Sequence, residues 1–145
     1  MRNLILVAAV LALATGLSAG EKKLVHCFYF TVVDSATQAD WDAFGKATDA
    51  LPGKISGLQS VWQGKLARPL ALFNVDPETR KKLTAGEAKV AGTVTRAVRQ
   101  HGVCMVFADE AAFKAYAPHP AHKEWDAVYA KVRVPGTTTI DFIGQ

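Results

Sequence analysis

The most regular hydrophobic pattern lies in residues 24–33, where aromatic and β-branched residues predominate and predict a β-strand. Because side chains alternate along a strand, one face is predicted to carry His26, Phe28, Phe30 and Val32. A similar pattern in residues 101–108 predicts a second strand, with one face formed by His101, Val103, Met105 and Phe107. Each of these strands therefore offers a largely apolar face to a core.

Helical spacing of apolar residues appears between and after these strands. Trp41, Phe44, Ala47 and Leu51 recur at helical spacing until Pro52 and Gly53 end the pattern. Asp109 begins a second helix, and a third runs from residue 121 to about 131, after a break at Pro118 and Pro120. Shorter strands are predicted at 58–64 and at 132–143, the latter interrupted at Pro135 and Gly136. This order predicts an α+β, ferredoxin-like fold, with a four-stranded antiparallel sheet and helices on one face.

The second face of such a sheet has no helices to cover it. Apolar residues predicted there are Tyr29, Val33, Val106 and Phe142, together with Cys27 and Cys104. A monomer would expose this patch to water, so we expect two subunits to pair face to face as a homodimer.

Charge is concentrated in one segment of the chain. The formal net charge is +4, but residues 65–99 hold eight basic and three acidic residues, and the remainder sums to −1. We interpret residues 66–100 as a basic insertion, part helix and part mobile loop, with a short helix from Asp76 to Leu83. No aromatic residue lies between residues 80 and 100, so a solvated face is favoured over nucleic-acid binding.

The N-terminus resembles an export signal. A short basic start precedes eleven apolar residues, too few to span a bilayer, and small residues follow at 17–20. We predict a cleaved signal peptide over residues 1–20, a single domain over 21–145, and a periplasmic or secreted protein without stable membrane insertion; a buried N-terminal helix or an uncleaved anchor is the alternative. Export would allow Cys27 and Cys104 to pair, but the sequence leaves their pairing open.

Four histidines carry the candidate chemistry. His26 and His101 begin strands whose faces are otherwise apolar, and we expect them to lie together if these strands are parallel neighbours. His119 and His122 lie at the junction of two helices, where flanking prolines restrict the backbone. Tyr116 lies three residues before His119.

These motifs resemble those of the stress-responsive α/β barrel, or Dabb, family. The resemblance covers residues 24–64 and 101–143, and depends on His26, on Tyr116 followed by residues 119–122 (His-Pro-Ala-His), and on residues 140–142 (Ile-Asp-Phe). It implies ferredoxin-like subunits that dimerise into a barrel. A plant polyketide cyclase of that family works by aldol condensation without a metal or organic cofactor, and its catalytic pair corresponds to Tyr116 and His122.

The resemblance implies that Tyr116 and His122 are catalytic and that no cofactor is needed. Histidine can act as a base near neutral pH, and a tyrosine hydroxyl can donate a hydrogen bond to a carbonyl oxygen. A small organic ligand would contact the remaining expected binding residues, which are His26, Phe28, Phe30, His101, Val103, Met105 and His119. Thr137 and Thr139 replace an aliphatic wall, which points to a different substrate.

Two other interpretations stay open at this point. His119 and His122 can brace the helix junction in a non-enzymatic stress or envelope protein whose stable dimer is its function. A metal or haem bound at the histidines is a further alternative, although no set of three convergent ligands is evident and we predict no metal site.

Overall fold

The computed structural model describes residues 22–144 and has the predicted α+β architecture. Its strands are β1 (Leu24–Val32), β2 (Leu58–Val75), β3 (Val94–Phe107) and β4 (Arg133–Ile143). The α-helices are α1 (Gln38–Asp49), α2 (Pro77–Thr84), α3 (Glu110–Tyr116) and α4 (Pro120–Tyr129), and a short 3-10 helix spans Leu51–Gly53. The four strands form one antiparallel sheet in the order β2-β3-β1-β4. The predicted ferredoxin-like fold is confirmed.

The expected signal peptide, residues 1–20, lies outside the described residues. Within residues 22–144, none of the helices is both long enough and apolar enough to cross a membrane.

Aromatic side chains fill the space between the sheet and helices α1 and α4. Phe30 of β1 and Phe44 of α1 are fully buried, and their rings meet edge to face with centroids 6.0 Å apart. Trp125 of α4 donates a 2.9 Å hydrogen bond from Nε1 to Oγ1 of Thr48, which in turn donates to the carbonyl of Phe44. Because both donors in this buried polar chain have acceptors, their hydrogen bonds offset the loss of water and fix α4 against α1.

The direction of β3 differs from our expectation. We expected β1 and β3 to be parallel neighbours, but they pair antiparallel, with His26 opposite Met105 and Phe30 opposite His101. His26 and His101 are therefore separated by four residues along the sheet, about 13 Å. Two strands joined by a crossover helix are parallel, and here those are β1 and β2, which leaves β3 antiparallel between them.

The expectation that residues 66–100 form an insertion, part helix and part mobile loop, is wrong, because most of this segment is β-strand. Strands β2 and β3 both extend beyond the expected ranges of 58–64 and 101–108, and residues Leu70–Val75 pair with Val94–Arg99. We call this paired extension, with helix α2 at its tip, the arm. The pairing is irregular between Lys65 and Leu70, where Pro69 has no amide hydrogen to donate.

Helix α2 lies where the sequence predicted a helix. The Asp76 side chain accepts hydrogen bonds from the backbone of Thr79 at 2.9 Å and from its hydroxyl at 2.7 Å. Together with a hydrogen bond from the Thr93 backbone, these hold the pKa of the Asp76 carboxyl down at about 2. A permanently charged carboxylate at the N-terminus of α2 thus ties the two strands of the arm together.

A disulfide joins the two central strands. Cys27 of β1 lies directly opposite Cys104 of β3, and their sulfurs are bonded across a sequence separation of 77 residues. The pairing that the sequence left open is therefore present, which is consistent with an oxidising compartment.

Loss of this disulfide should destabilise the fold. We expect the double variant Cys27→Ala/Cys104→Ala to unfold with a free energy about 2–4 kcal/mol below that of the oxidised protein, because the cross-link restricts the unfolded chain. Urea titration followed by tryptophan fluorescence measures the difference. Dithiothreitol should destabilise the wild type and leave the double variant unchanged. Equal unfolding free energies for the double variant and the oxidised wild type would contradict the prediction.

Candidate functional site

A cavity of about 420 Å³ lies between the sheet and helices α3 and α4. It is lined by His26, Phe28, Phe113, Tyr116, Ala117, His122, Trp125, Asp126, Tyr129, Arg133, Gly136, Thr137 and Thr139. Strand β1 supplies the floor, α3 and α4 supply most of the polar groups, and β4 supplies the two threonines. An apolar cavity with a few convergent polar groups is the usual form of a small-molecule site.

His122 is held in one orientation by the backbone. Its Nδ1 lies 3.0 Å from the carbonyl oxygen of Ala117, which accepts only from a protonated nitrogen. In the neutral ring, Nε2 then carries the free lone pair. The imidazole packs against Tyr116, with ring centroids 4.3 Å apart, and stacks on Trp125 at 5.6 Å. His122 is therefore a positioned proton acceptor on the wall of the cavity.

Tyr116 is kept protonated by its surroundings. Only 4% of the residue is exposed, and burial, followed by the nearby Asp126 charge, raises the pKa of its phenol well above the usual range. A neutral phenol beside a histidine is a hydrogen-bond donor over the whole physiological pH range.

His26 is oriented by a carboxylate. Its Nδ1 lies 2.6 Å from Oδ1 of Asp141 on the neighbouring strand β4, and His26 and Asp141 are opposite each other in the strand pairing. The imidazole lies 6.2 Å from Tyr116, between centroids, and packs on Phe113 at 5.0 Å. The cavity therefore brings together His26, Tyr116 and His122.

His119 has a local structural contact. It caps the N-terminus of α4, where its Nδ1 accepts a 3.1 Å hydrogen bond from the Ala121 amide. His119 is absent from the residues that line the cavity.

His101 lies elsewhere in the fold. Its ring packs 4.6 Å from that of Trp41, and burial, together with the Lys65 charge, lowers the pKa of its imidazole. His101, which we expected to lie beside His26 and to bind the ligand, is therefore outside the cavity. Within residues 22–144, no three histidine, cysteine, aspartate or glutamate side chains are grouped closely enough to hold a metal ion.

The expected apolar walls divide between core and cavity. Phe28 lines the cavity, whereas Phe30, Val103 and Met105 are fully buried in the core and do not line it. Helix α1 and the short 3-10 helix after it pack on the middle of the sheet and bury these three side chains. The cavity lies on the part of the sheet formed by β1 and β4.

Several cavity residues were missed by our sequence analysis as site residues. Trp125 and Tyr129 were assigned only to the apolar stripe of α4, and Arg133 was not singled out. The signal that could have found Arg133 is its position four residues after Tyr129, just beyond the end of α4 and at the start of β4.

The two buried tyrosines give a test of this site. Burial raises the pKa of both Tyr116 and Tyr129, so the stability that their neutral forms contribute is complete below about pH 10 and declines as the pH rises above it. Ultraviolet titration of the folded protein should show that Tyr116 and Tyr129 ionise only well above the usual tyrosine range. Tyr116→Phe should reduce the loss of unfolding free energy between about pH 10 and pH 12. Ionisation of Tyr116 and Tyr129 near pH 10 in the native protein would contradict the burial of the site.

Comparisons with known proteins show the same fold at low sequence identity. No protein-family profile matches the chain, and no curated protein matches it either. A Dabb family protein from Mesorhizobium loti is 17% identical, with a TM-score of 0.54, over 86% of this chain and 99% of that one. A dimeric ferredoxin-like protein of unknown function from Thermobifida fusca is 19% identical, with a TM-score of 0.55, over 85% and 92%.

A further similar structure is an enzyme. The hydroxynitrile lyase from Passiflora edulis is 13% identical, with a TM-score of 0.57, over 87% of this chain and 95% of that one. At these identities the similarity establishes the fold alone. The chain has the ferredoxin-like fold that its resemblance to the Dabb family implies, so that expectation is confirmed for the fold.

Proposed function

We propose that this protein is an exported homodimer that binds a small organic ligand in the cavity and performs cofactor-free acid-base chemistry with His122 and Tyr116. The observation that carries the proposal is the hydrogen bond from His122 to the Ala117 carbonyl, beside a buried, neutral Tyr116. The disulfide supports export, since such bonds persist in oxidising compartments.

The proposed step is removal of a proton from a carbon next to a carbonyl group. Nε2 of His122 takes the proton, and the Tyr116 hydroxyl donates a hydrogen bond to the carbonyl oxygen as negative charge develops there. The resulting enolate either attacks a second carbonyl of the ligand, as in a cyclase, or regains a proton at another position, as in an isomerase. Phe28, Phe113 and Trp125 give the cavity an apolar wall beside these two groups.

The fold is compatible with catalysis, because the Passiflora edulis protein of similar structure is a hydroxynitrile lyase. The Tyr116 and His122 roles in this chain are supported by their geometry and by the motif they share with the Dabb family. His26, held by Asp141, orients the ligand from the β1/β4 side of the cavity.

Proton exchange tests this activity without knowledge of the substrate. In deuterium oxide, the protein should accelerate deuterium uptake at the methyl group of acetophenone, a small aromatic ketone, as followed by proton NMR. His122→Ala should reduce the enzyme-dependent rate by about 100-fold or more, and Tyr116→Phe by about tenfold or more, since each removes one proton-handling group. Lys123→Ala, next to His122 but exposed, is the matched control. An unaltered rate in both site variants, with folding verified by circular dichroism, would refute the catalytic assignment.

A second candidate function is a non-enzymatic protein whose dimer is its role. The observation that favours it is the exposed apolar face of the sheet, where Trp62 is 63%, Ile140 42% and Phe142 56% exposed. Strand pairing puts all three on the face opposite the helices, around the disulfide. His119 would then serve only to cap α4.

Both candidates require the dimer, which can be tested directly. Sedimentation velocity should give a dimer for the wild type and a monomer for Trp62→Lys/Phe142→Glu, because buried charges oppose pairing of two apolar faces. Leu83→Ser, at an exposed apolar residue of α2, should remain dimeric. A monomeric wild type at micromolar concentration would exclude the dimer.

A further inference from the structure

The wall that α4 and β4 form along the cavity holds a positive charge that the protein itself only partly neutralises. Arg133 begins β4, and its side chain is 21% exposed. Its Nη2 lies 3.4 Å from Oδ1 of Asp126, a long ion pair, and Asp126 is itself half exposed. The Nε of Arg133 is buried and has no hydrogen-bond partner within residues 22–144.

Tyr129 adds a second unused donor at the same place. Its hydroxyl is buried and makes no hydrogen bond to any described residue. The guanidinium carbon of Arg133 lies 4.5 Å from the centre of the Tyr129 ring, so the two groups are neighbours. Burial raises the pKa of Tyr129 far above neutrality, which keeps the hydroxyl protonated and able to donate.

Two unpaired buried donors at one end of a cavity are unusual in a folded protein. Each costs free energy when left unsatisfied, and native structures leave few such groups. Both Arg133 and Tyr129 line the cavity that holds His122. An acceptor group on a ligand would satisfy both at once.

The chemistry of the donors selects the acceptor. A guanidinium presents adjacent N–H groups in a planar fork that matches the two oxygens of a carboxylate, and a phenol hydroxyl can add a third hydrogen bond. Asp126 already offsets part of the Arg133 charge, which favours a singly charged ligand over a dianion. The rings of Phe28 and Trp125 pack against Tyr129, continue the cavity wall from there and suit an apolar body.

The helix sets the length of the ligand. His122 and Tyr129 are on α4, seven residues apart, which is about 10 Å along the helix axis. Trp125 lies between them and stacks on both rings, at 5.6 Å from His122 and 4.7 Å from Tyr129. A ligand that contacts both ends therefore spans the Trp125 ring.

We infer that the cavity takes a small monocarboxylate with an apolar body, whose carboxylate binds to Arg133 and Tyr129 while its carbonyl end faces Tyr116 and His122. The inference rests on the proposed use of the cavity and adds the class of ligand. Arg133 and Tyr129 are binding residues here and take no part in the proton transfer.

Binding of a matched pair of probes tests the inference. The probes are 4-phenylbutanoate and its neutral isostere 4-phenylbutanamide, titrated calorimetrically into the purified protein at neutral pH. The wild type should bind the acid at least about tenfold more tightly than the amide, since charge-assisted hydrogen bonds are stronger than neutral ones. Arg133→Met should abolish this preference, and Tyr129→Phe should reduce it.

Controls separate the carboxylate site from general effects. Arg96→Met removes the same charge from an exposed position on the arm and should keep the preference. Thermal unfolding of each variant establishes that it is folded.

Two kinds of result would overturn the inference. The carboxylate site would be refuted if the wild type bound acid and amide equally, or if folded Arg133→Met kept the full preference for the acid. Neither result would contradict the proposed proton-exchange activity. Failure of both probes to bind would overturn the inference and count against the cavity as a ligand site. Acid selectivity without any proton exchange would keep the inference and refute the catalytic proposal.

Discussion

Packing of aromatic rings between strand β1 and helix α4 is the interaction on which the rest of this structure depends. Phe28 and Phe30 of β1 contact Tyr129 with ring centroids 5.6 and 4.9 Å apart, and Phe28 also meets Trp125 edge to face. Edge-to-face pairs add directional attraction to the burial of large apolar surfaces. The hydrogen bond from Trp125 to Thr48 then fixes α4 in rotation as well as in position.

The rotation of α4 decides what the cavity contains. With Trp125 and Tyr129 turned toward β1, the same helical face presents His122 at one end and leads to Arg133 at the other. Core residues Trp125 and Tyr129 and the proposed site residue His122 thus share one stripe of the helix, in which the Trp125 ring stacks on the imidazole. The inward face of α4 belongs both to the core and to the cavity. The cavity therefore combines the core's aromatic rings with the polar side chains of His122 and Arg133.

The two faces of the sheet differ in how their apolar side chains are covered. The inner face is covered by helices, whereas the outer face keeps large apolar residues in water around the Cys27–Cys104 bond. Proteins rarely leave such a patch uncovered, which is the physical ground for a second subunit. The arm extends from the β2 and β3 side of this sheet and carries much of the positive charge, so the neutral part of the chain forms the core and cavity.

Local sequence patterns determined the order of elements, the faces of β1 and β3, and the helix caps at Asp76 and Asp109, because these depend on near neighbours in the chain. Tyr116 and His122 became catalytic candidates through the resemblance of their motif to the Dabb family. The strands of the arm were missed because both of its faces are largely exposed. Residues 70–75 and 94–99 therefore need no strict alternation of apolar and polar side chains, which is the pattern that predicts a strand.

Only the tertiary structure decided which distant residues meet. Antiparallel pairing of β1 with β3 separated His26 from His101 and joined the two cysteines, and pairing of β1 with β4 brought Asp141 to His26. Periodicity shows which side of a strand a residue faces, but strand direction and register come from long-range pairing across the sheet. That is why the sequence by itself determined the fold class and the catalytic candidates, while the position of Arg133 beside Tyr129 became evident only in the folded chain.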